Sequence, residues 1–252
     1  MNSALDESEL LLSLGRQEMA LGNRHISNLT TRIGTLNYIR MADEIARWKN
    51  QEPFTILDWG AGHGQMSYLL RNRGFKVTSF DVQKRQYKVK GSVVASAPVV
   101  VSSRPTKLPF KSGQFNGVLS CGVLEHVKDD KASLLEIRRI LKPGGFLFIT
   151  MLPNETSLVE WNNRRKGTSD HPIRYTPAKM KRMFRETGFE FLKCKYGNFF
   201  PKNLTGLPMS AKKVYDIFSA PLSLLEQLLI HVPLLNLLSG TLEIVAPKTV
   251  DQ

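Results

Sequence analysis

The chain has 252 residues, 42% of them apolar, which suits one α/β domain with elaborations and excludes a chain too polar to bury a core. A balance of 35 basic against 22 acidic residues gives a net charge of +13 and implies an anionic partner: nucleic acid, an anionic membrane surface, or a phosphorylated or acidic glycan. Asp6, Glu7 and Glu9 with no early basic residue argue against a secretory signal, and Cys121 and Cys194 lack metal-ligand spacing, as expected of reduced thiols in a cytoplasmic protein.

Two helical stretches come first, roughly 8–21 and 34–49, and the second carries Leu36, Ile39, Ile45 and Trp48 at about helical spacing. Glu52-Pro53 ends it, so residues 1–50 read as a helical cover ahead of a main domain, 51–252, whose core is 54–152. Strand-like and helix-like runs then alternate: strand 54–59, helix 64–73, strand 75–80, a basic turn or helix at 82–90, and strand 93–101. The series continues with strand 115–121, helix 129–141 and strand 145–152. Such alternation predicts a parallel, doubly wound sheet with helices on both faces. After Pro153 the pattern changes to a loop as far as Pro177, a helix over 177–187 that Gly188 ends, and a strand over 189–196. Residues 200–238 read as a Pro-punctuated helical insertion before a last strand at 242–246, and 154–240 as a cover over an acceptor. The basic residues, among them Lys84-Arg85, Arg138-Arg139, Arg164-Arg165-Lys166 and Lys212-Lys213, are scattered and read most simply as solvated surface.

The densest signal is Leu57-Asp58-Trp59-Gly60-Ala61-Gly62-His63-Gly64, where a strand runs into glycines at alternate positions. A glycine turn between a parallel strand and a helix lets a ligand approach bare backbone. Dinucleotide sites use G-x-G-x-x-G. Here the third glycine falls one residue early, Gln65 takes its place, and Asp58 precedes the first glycine by two. D-x-G-x-G-x-G resembles motif I of the class I S-adenosylmethionine-dependent methyltransferases.

Further segments fit that resemblance in order and spacing. The strand Phe75 to Phe80 ends in Asp81, an acid placed to accept ribose hydroxyls. Leu108-Pro109-Phe110 through Phe115-Asn116 resembles the family's entry to the fourth strand. Val123-Leu124-Glu125-His126-Val127 is similar to the turn that follows that strand in ubiquinone- and menaquinone-type members. Glu136 to Gly145, ending Leu141-Lys142-Pro143-Gly144-Gly145, resembles the helix end and turn before the fifth strand. The resemblance implies a Rossmann-like sheet of seven mostly parallel strands, the last antiparallel. It implies S-adenosylmethionine as cofactor, held by Asp58, Gly60, Ala61, Gly62, Gly64, Asp81 and Val82, with Ser103, Arg104 and Cys121 completing the set. Arg104 departs from the acid often found there near the adenine, and Asn116 replaces an aspartate.

An acceptor hydroxyl must lose its proton, and His126 is the best-placed base, with Glu125 orienting it or capping the next helix. His171, Arg174 and Tyr175 form an alternative constellation, with His171 a second candidate catalytic group and all three candidate acceptor contacts. His63 reads as a cofactor-edge or solvent contact. Cys121 also has the plainer reading of a buried, inert thiol. The expected reaction is methyl transfer to a hydroxyl of a small-molecule, lipid-linked or glycan-linked acceptor. Alternatives are C-methylation of a quinone-like ring, a binding module without turnover, and RNA methylation. The last is disfavoured because Ser120 rather than proline precedes Cys121, and the Pro-Pro-aromatic signature of base amino methylation is absent there. No metal ligands are read. Leu222 to Leu238 is either an apolar face packed on the core or a lid touching an anionic membrane interface.

Overall fold

The computed structural model describes residues 3–249 except 84–87, 90–91, 93, 95–97, 105, 166, 168–170, 203 and 205–206. Two helices lead, α1 (Ser3–Ala20) and α2 (Arg32–Ala46), joined by a 3-10 turn at Arg24–Leu29. Thr31 starts α2 because its hydroxyl accepts from the Gly34 amide, which would otherwise lack a partner in the first turn. There follow β1 (Thr55–Trp59), α3 (Gln65–Asn72), β2 (Lys76–Asp81), β3 (Val99–Val101), β4 (Phe115–Cys121), α4 (Asp130–Ile140) and β5 (Leu141–Pro153). The remainder is α5 (Leu158–Arg165), α6 (Pro177–Thr187), β6 (Lys193–Gly197), α7 (Met209–Ile217), α8 (Ser219–Leu229) and β7 (Thr241–Pro247).

The strands form one sheet in the order β3-β2-β1-β4-β5-β7-β6. The pairs from β3 across to β5 are parallel, and β7 runs antiparallel to both β5 and β6. The predicted sheet is therefore observed, with its last strand wedged between β5 and β6. Successive residues of a strand face opposite sides. Ile56 accordingly joins a core with α1, α2 and α3 (Leu11, Tyr38, Leu69), while Leu57 joins the other core with α4 and α6 (Ile137, Phe184). The chain reverses its direction of winding between β1 and β4, and the crevice outside their carboxyl ends is where ligands of such sheets bind.

Three elements differ from the expectations. Among the described residues the third strand spans only Val99–Val101, and most of the basic stretch 82–90 lies outside them. The Lys-Pro-Gly-Gly turn belongs to β5, because Leu141 already pairs with Phe115 before a bulge. The expected loop 154–176 contains α5. Its Leu158 and Trp161 are exposed while Glu160 is buried, so no apolar stripe announces a helix. The ends of α6 agree with the sequence: Thr176 caps it, Pro177 opens it, and Gly188 closes it at φ 72°.

Candidate functional site

The glycine turn sits at the carboxyl end of β1 and is held from both sides. The amides of Gly60 and Ala61 both donate to the Phe80 carbonyl at 2.8 Å, and the Gly64 amide closes the turn onto Ala61. Gly60 has φ 75°, and a Cβ there would meet Val123 at 2.5 Å, so only glycine suits the position. Beneath the turn, Asp58 is buried and accepts from the Ser67 hydroxyl at 2.6 Å, which in turn bonds Ser79 at 2.7 Å. Burial is the main reason its carboxyl is pushed up to about 6. Asp58 thus fastens α3 and β2 under the turn and shapes the glycine turn from below. Ser67, its partner on the buried face of α3, carries no motif in the sequence. His63 turns to Asn23 of the N-terminal cover, 3.2 Å from its amide nitrogen.

Asp81 ends β2 beside this loop. Its two oxygens accept from the Gly62 amide at 2.9 Å and the Gln83 amide at 3.2 Å, leaving each a lone pair for further donors. Val82 beside it is exposed. The next strand delivers Ser102, whose amide donates to the Asp81 carbonyl at 3.3 Å and whose hydroxyl accepts from the Arg104 amide. Ser103 and Arg104 are exposed at the same edge. Beyond Gly62 the space is open, since a Cβ there would meet nothing closer than 3.9 Å. A bare turn with open space above it and a carboxylate at the tip of β2 fits a nucleoside with a ribose diol. Cys121 closes β4 beside Thr150, packed against the core, and burial pushes its thiol up to about 12, which disfavours the reactive thiolate.

The second part of the site joins what the sequence suggested as two separate constellations. Glu125 and His126 lie in a short 3-10 turn after β4, and His171 and Arg174 in the segment after α5. The His126 and His171 rings are 5.8 Å apart between centroids, and His126 Nε2 lies 3.9 Å from Glu125 Oε1. Glu125 is buried, its Oε2 has no hydrogen-bond partner, and burial raises its carboxyl to about 7. The cap of α4 is Asp129, accepting from Ala132 at 2.8 Å, so Glu125 does not serve as one. Glu160, which no sequence pattern singled out, bonds His171 Nδ1 at 2.9 Å and Arg174 Nε at 3.0 Å. That hydrogen bond holds the His171 imidazole above its ordinary value. Although burial opposes it, the pair of His171 and Arg174 holds Glu160 below the usual carboxylate range.

Tyr175, expected as an acceptor contact, has its hydroxyl turned to the protein. It is fully buried, and its hydroxyl bonds the Leu124 carbonyl at 3.2 Å and Asp130 at 3.1 Å, so it props the Glu125–His126 turn from behind. The sequence offered no metal ligands, yet Glu125, His126 and His171 each present a ligating atom within 4.8 Å of the others. Such a trio can bind a divalent ion or share protons, and His171 Nδ1 already serves Glu160.

Residues 57–149 match the family described as "Methyltransferase domain". A ubiquinone biosynthesis O-methyltransferase of Caulobacter vibrioides is 33% identical over 105 residues, 40% of this chain and 42% of that protein. An uncharacterized protein of Methanocaldococcus jannaschii is 31% identical over 180 residues, 66% of this chain and 73% of its own length. Among solved structures, a SAM-dependent methyltransferase from Thermotoga maritima superposes with a TM-score of 0.57 at 16% identity, covering 84% of this chain and 89% of that one. The alignments with the first curated relatives span only 42% to 61% of those proteins' lengths. The fold and the glycine turn define a Rossmann-like domain, and the chain belongs to the class I S-adenosylmethionine-dependent methyltransferase family. Its cofactor is S-adenosylmethionine.

Proposed function

We propose that this protein methylates a hydroxyl group of a small-molecule acceptor, free or carried on a lipid or glycan. The observation that carries the reading is the cluster of Glu125, His126 and His171 at the carboxyl edge of the sheet, the same edge as the Gly60–Gly64 turn and Asp81. The O-methyltransferase relatives support it.

The cofactor, when bound, supplies an activated methyl on a sulfonium. The chain's work is to hold the donor and acceptor in line and to take one proton. In this reading Gly60, Ala61, Gly62 and Gly64 offer bare main chain over the buried support of Asp58, and Asp81 receives the ribose hydroxyls. Val82, Ser103, Arg104 and Cys121 line the rest of the crevice. Holding two reactants in attack geometry is worth roughly 7–11 kcal/mol of a barrier. His126 takes the acceptor proton, and the Glu125 carboxyl, tuned to about 7, stabilises the imidazolium that results. His171, whose bond to Glu160 favours its protonated form, and Arg174 offer hydrogen-bond donors to the oxygen as it becomes anionic.

The test is a donor-turnover assay on extracts split into lipid, glycan, RNA and small-molecule fractions, run with the native chain and with His126→Ala. Turnover confined to a hydroxyl-bearing small-molecule, lipid or glycan fraction is expected, with kcat lowered roughly 100- to 10,000-fold by the substitution and donor affinity unchanged. Methylation of carbon, salt-sensitive methylation of RNA, or donor binding with no turnover on any fraction would each replace this reading with its rival.

A further inference from the structure

Helix α8 is turned inside out. At 3.6 residues per turn, Pro221, Leu224, Leu225 and Leu228 share one face, and Ser219, Ser223 and Glu226 share the opposite one. A helix at the surface of a globular protein buries its apolar stripe and exposes its polar one. Here the exposed stripe is the apolar one: Leu224 is 68% and Leu228 62% exposed, whereas Ser219 and Glu226 are each only 4% exposed. The polar face is anchored inward. Glu226 accepts from Lys202 Nζ at 2.6 Å and from the Phe200 amide at 3.1 Å.

The apolar surface continues on both sides. Val214, Ile217 and Phe218 are exposed at the end of α7, and beyond α8 Leu234 stands 77% exposed at φ 69° next to exposed Leu235. Its charges are sorted as well. The only acids in 200–240 are Asp216, paired with Arg16 and accepting from the Arg32 amide, and Glu226, paired with Lys202. Both point inward. Lys213, one turn before Ile217, is exposed, while Lys212 is buried against Thr30 at 3.0 Å. The outer surface is therefore largely apolar, interrupted by exposed Gln227 and His231, with a cation at its edge and no exposed carboxylate among the described residues.

We propose that the outward face of α7 and α8, with the Leu234–Leu235 tip, seats the protein on an anionic bilayer, lying in the interface with its leucines among the acyl chains. A short amphipathic helix with a broad apolar face binds in this way, strengthened by attraction between basic side chains and anionic headgroups. No described helix is long and apolar enough to cross a membrane, which fits lying in the interface. Charge selects the bilayer over a second copy of the chain: a molecule of net charge +13 meeting its own image gains no opposing carboxylate from this surface. The seat also adjoins the proposed acceptor side. Asn154 donates to the carbonyls of Leu237 at 2.8 Å and Ser239 at 2.9 Å, tying the end of the insertion to the segment that carries Glu160 and His171.

The test is co-sedimentation of the full chain with vesicles of phosphatidylcholine alone and of phosphatidylcholine with phosphatidylglycerol. Parallel samples carry Leu224→Ser with Leu228→Ser, or Lys213→Gln. Circular dichroism and binding of S-adenosylhomocysteine, expected to be unchanged, report that the variants are folded, and neither readout depends on an acceptor being methylated. Sedimentation with the anionic vesicles is expected, weakened about tenfold or more by the leucine pair and to a smaller degree by the lysine change. Recovery in the supernatant with every vesicle would overturn the proposal, as would equal sedimentation with neutral vesicles for its charge component. A dimer seen by light scattering and dissolved by the leucine pair, without vesicle binding, would assign the surface to a second copy instead.

Discussion

Asp81 receives the Gly62 and Gln83 amides, and in the proposed reading its remaining lone pairs receive the ribose hydroxyls. Asp81→Ala is expected to weaken binding of S-adenosylhomocysteine about 10- to 100-fold by calorimetry, the range set by losing hydrogen bonds to a charged group. Undiminished affinity would remove its ribose role. The place of this acid at the end of a strand was legible, and so was that of Glu125 and His126 in the turn after the fourth strand. Glu160 was not. It stands among polar residues in a stretch without periodicity, and its importance comes only from meeting His171 and Arg174, 11 and 14 positions along the chain. Tyr175 was legible as a residue of interest but not as to role, because whether an aromatic hydroxyl faces a ligand or the Asp130 carboxylate is decided by packing.

At the scale of elements, the glycine turn is the most constrained piece. Gly60→Ala adds a Cβ in a left-handed conformation and drives it into Val123, the residue that begins the Glu125–His126 turn. A loss of about 2–4 kcal/mol in urea unfolding is expected, with donor binding lost alongside. The strands and helices of 54–152 were readable because each carries its own period and its own glycine or proline punctuation. Two elements escaped for opposite reasons. In α5 the buried position is an acid, so its pattern looks like a loop. In α8 the apolar run was visible, but a run of leucines does not reveal which side meets the protein. The inward Glu226–Lys202 pair decides that.

Over the whole molecule, two buried carboxyls set a pH dependence. Asp58 keeps its proton up to about 6 in the folded chain, and Glu125 up to about 7, while in the unfolded chain both release it near their ordinary values of about 4. Between those limits the native state binds more protons, so the contribution of these two groups to stability falls as pH rises from about 4 to about 7. Asp58→Asn should flatten that slope, so its urea midpoint relative to the native chain should be more favourable near pH 7 than near pH 4. An unchanged difference at the two pH values would show that Asp58 titrates normally. Glu44 acts in the opposite sense. Although burial opposes it, Lys193 and Lys195 lower it to about 2, and the stability it adds above its ordinary value is lost as pH falls toward that figure.

The sequence alone determined the parallel sheet, the glycine turn, the acid after the second strand and the family these imply, because each depends on neighbours within a few residues and on backbone conformations that few side chains permit. Only the tertiary structure decided that His126 and His171 stand together, that Glu160 bonds the second of them, and that α8 faces its leucines outward. Those facts depend on which distant segments meet and on where each buried charge finds its partner, and no local pattern in the chain encodes that.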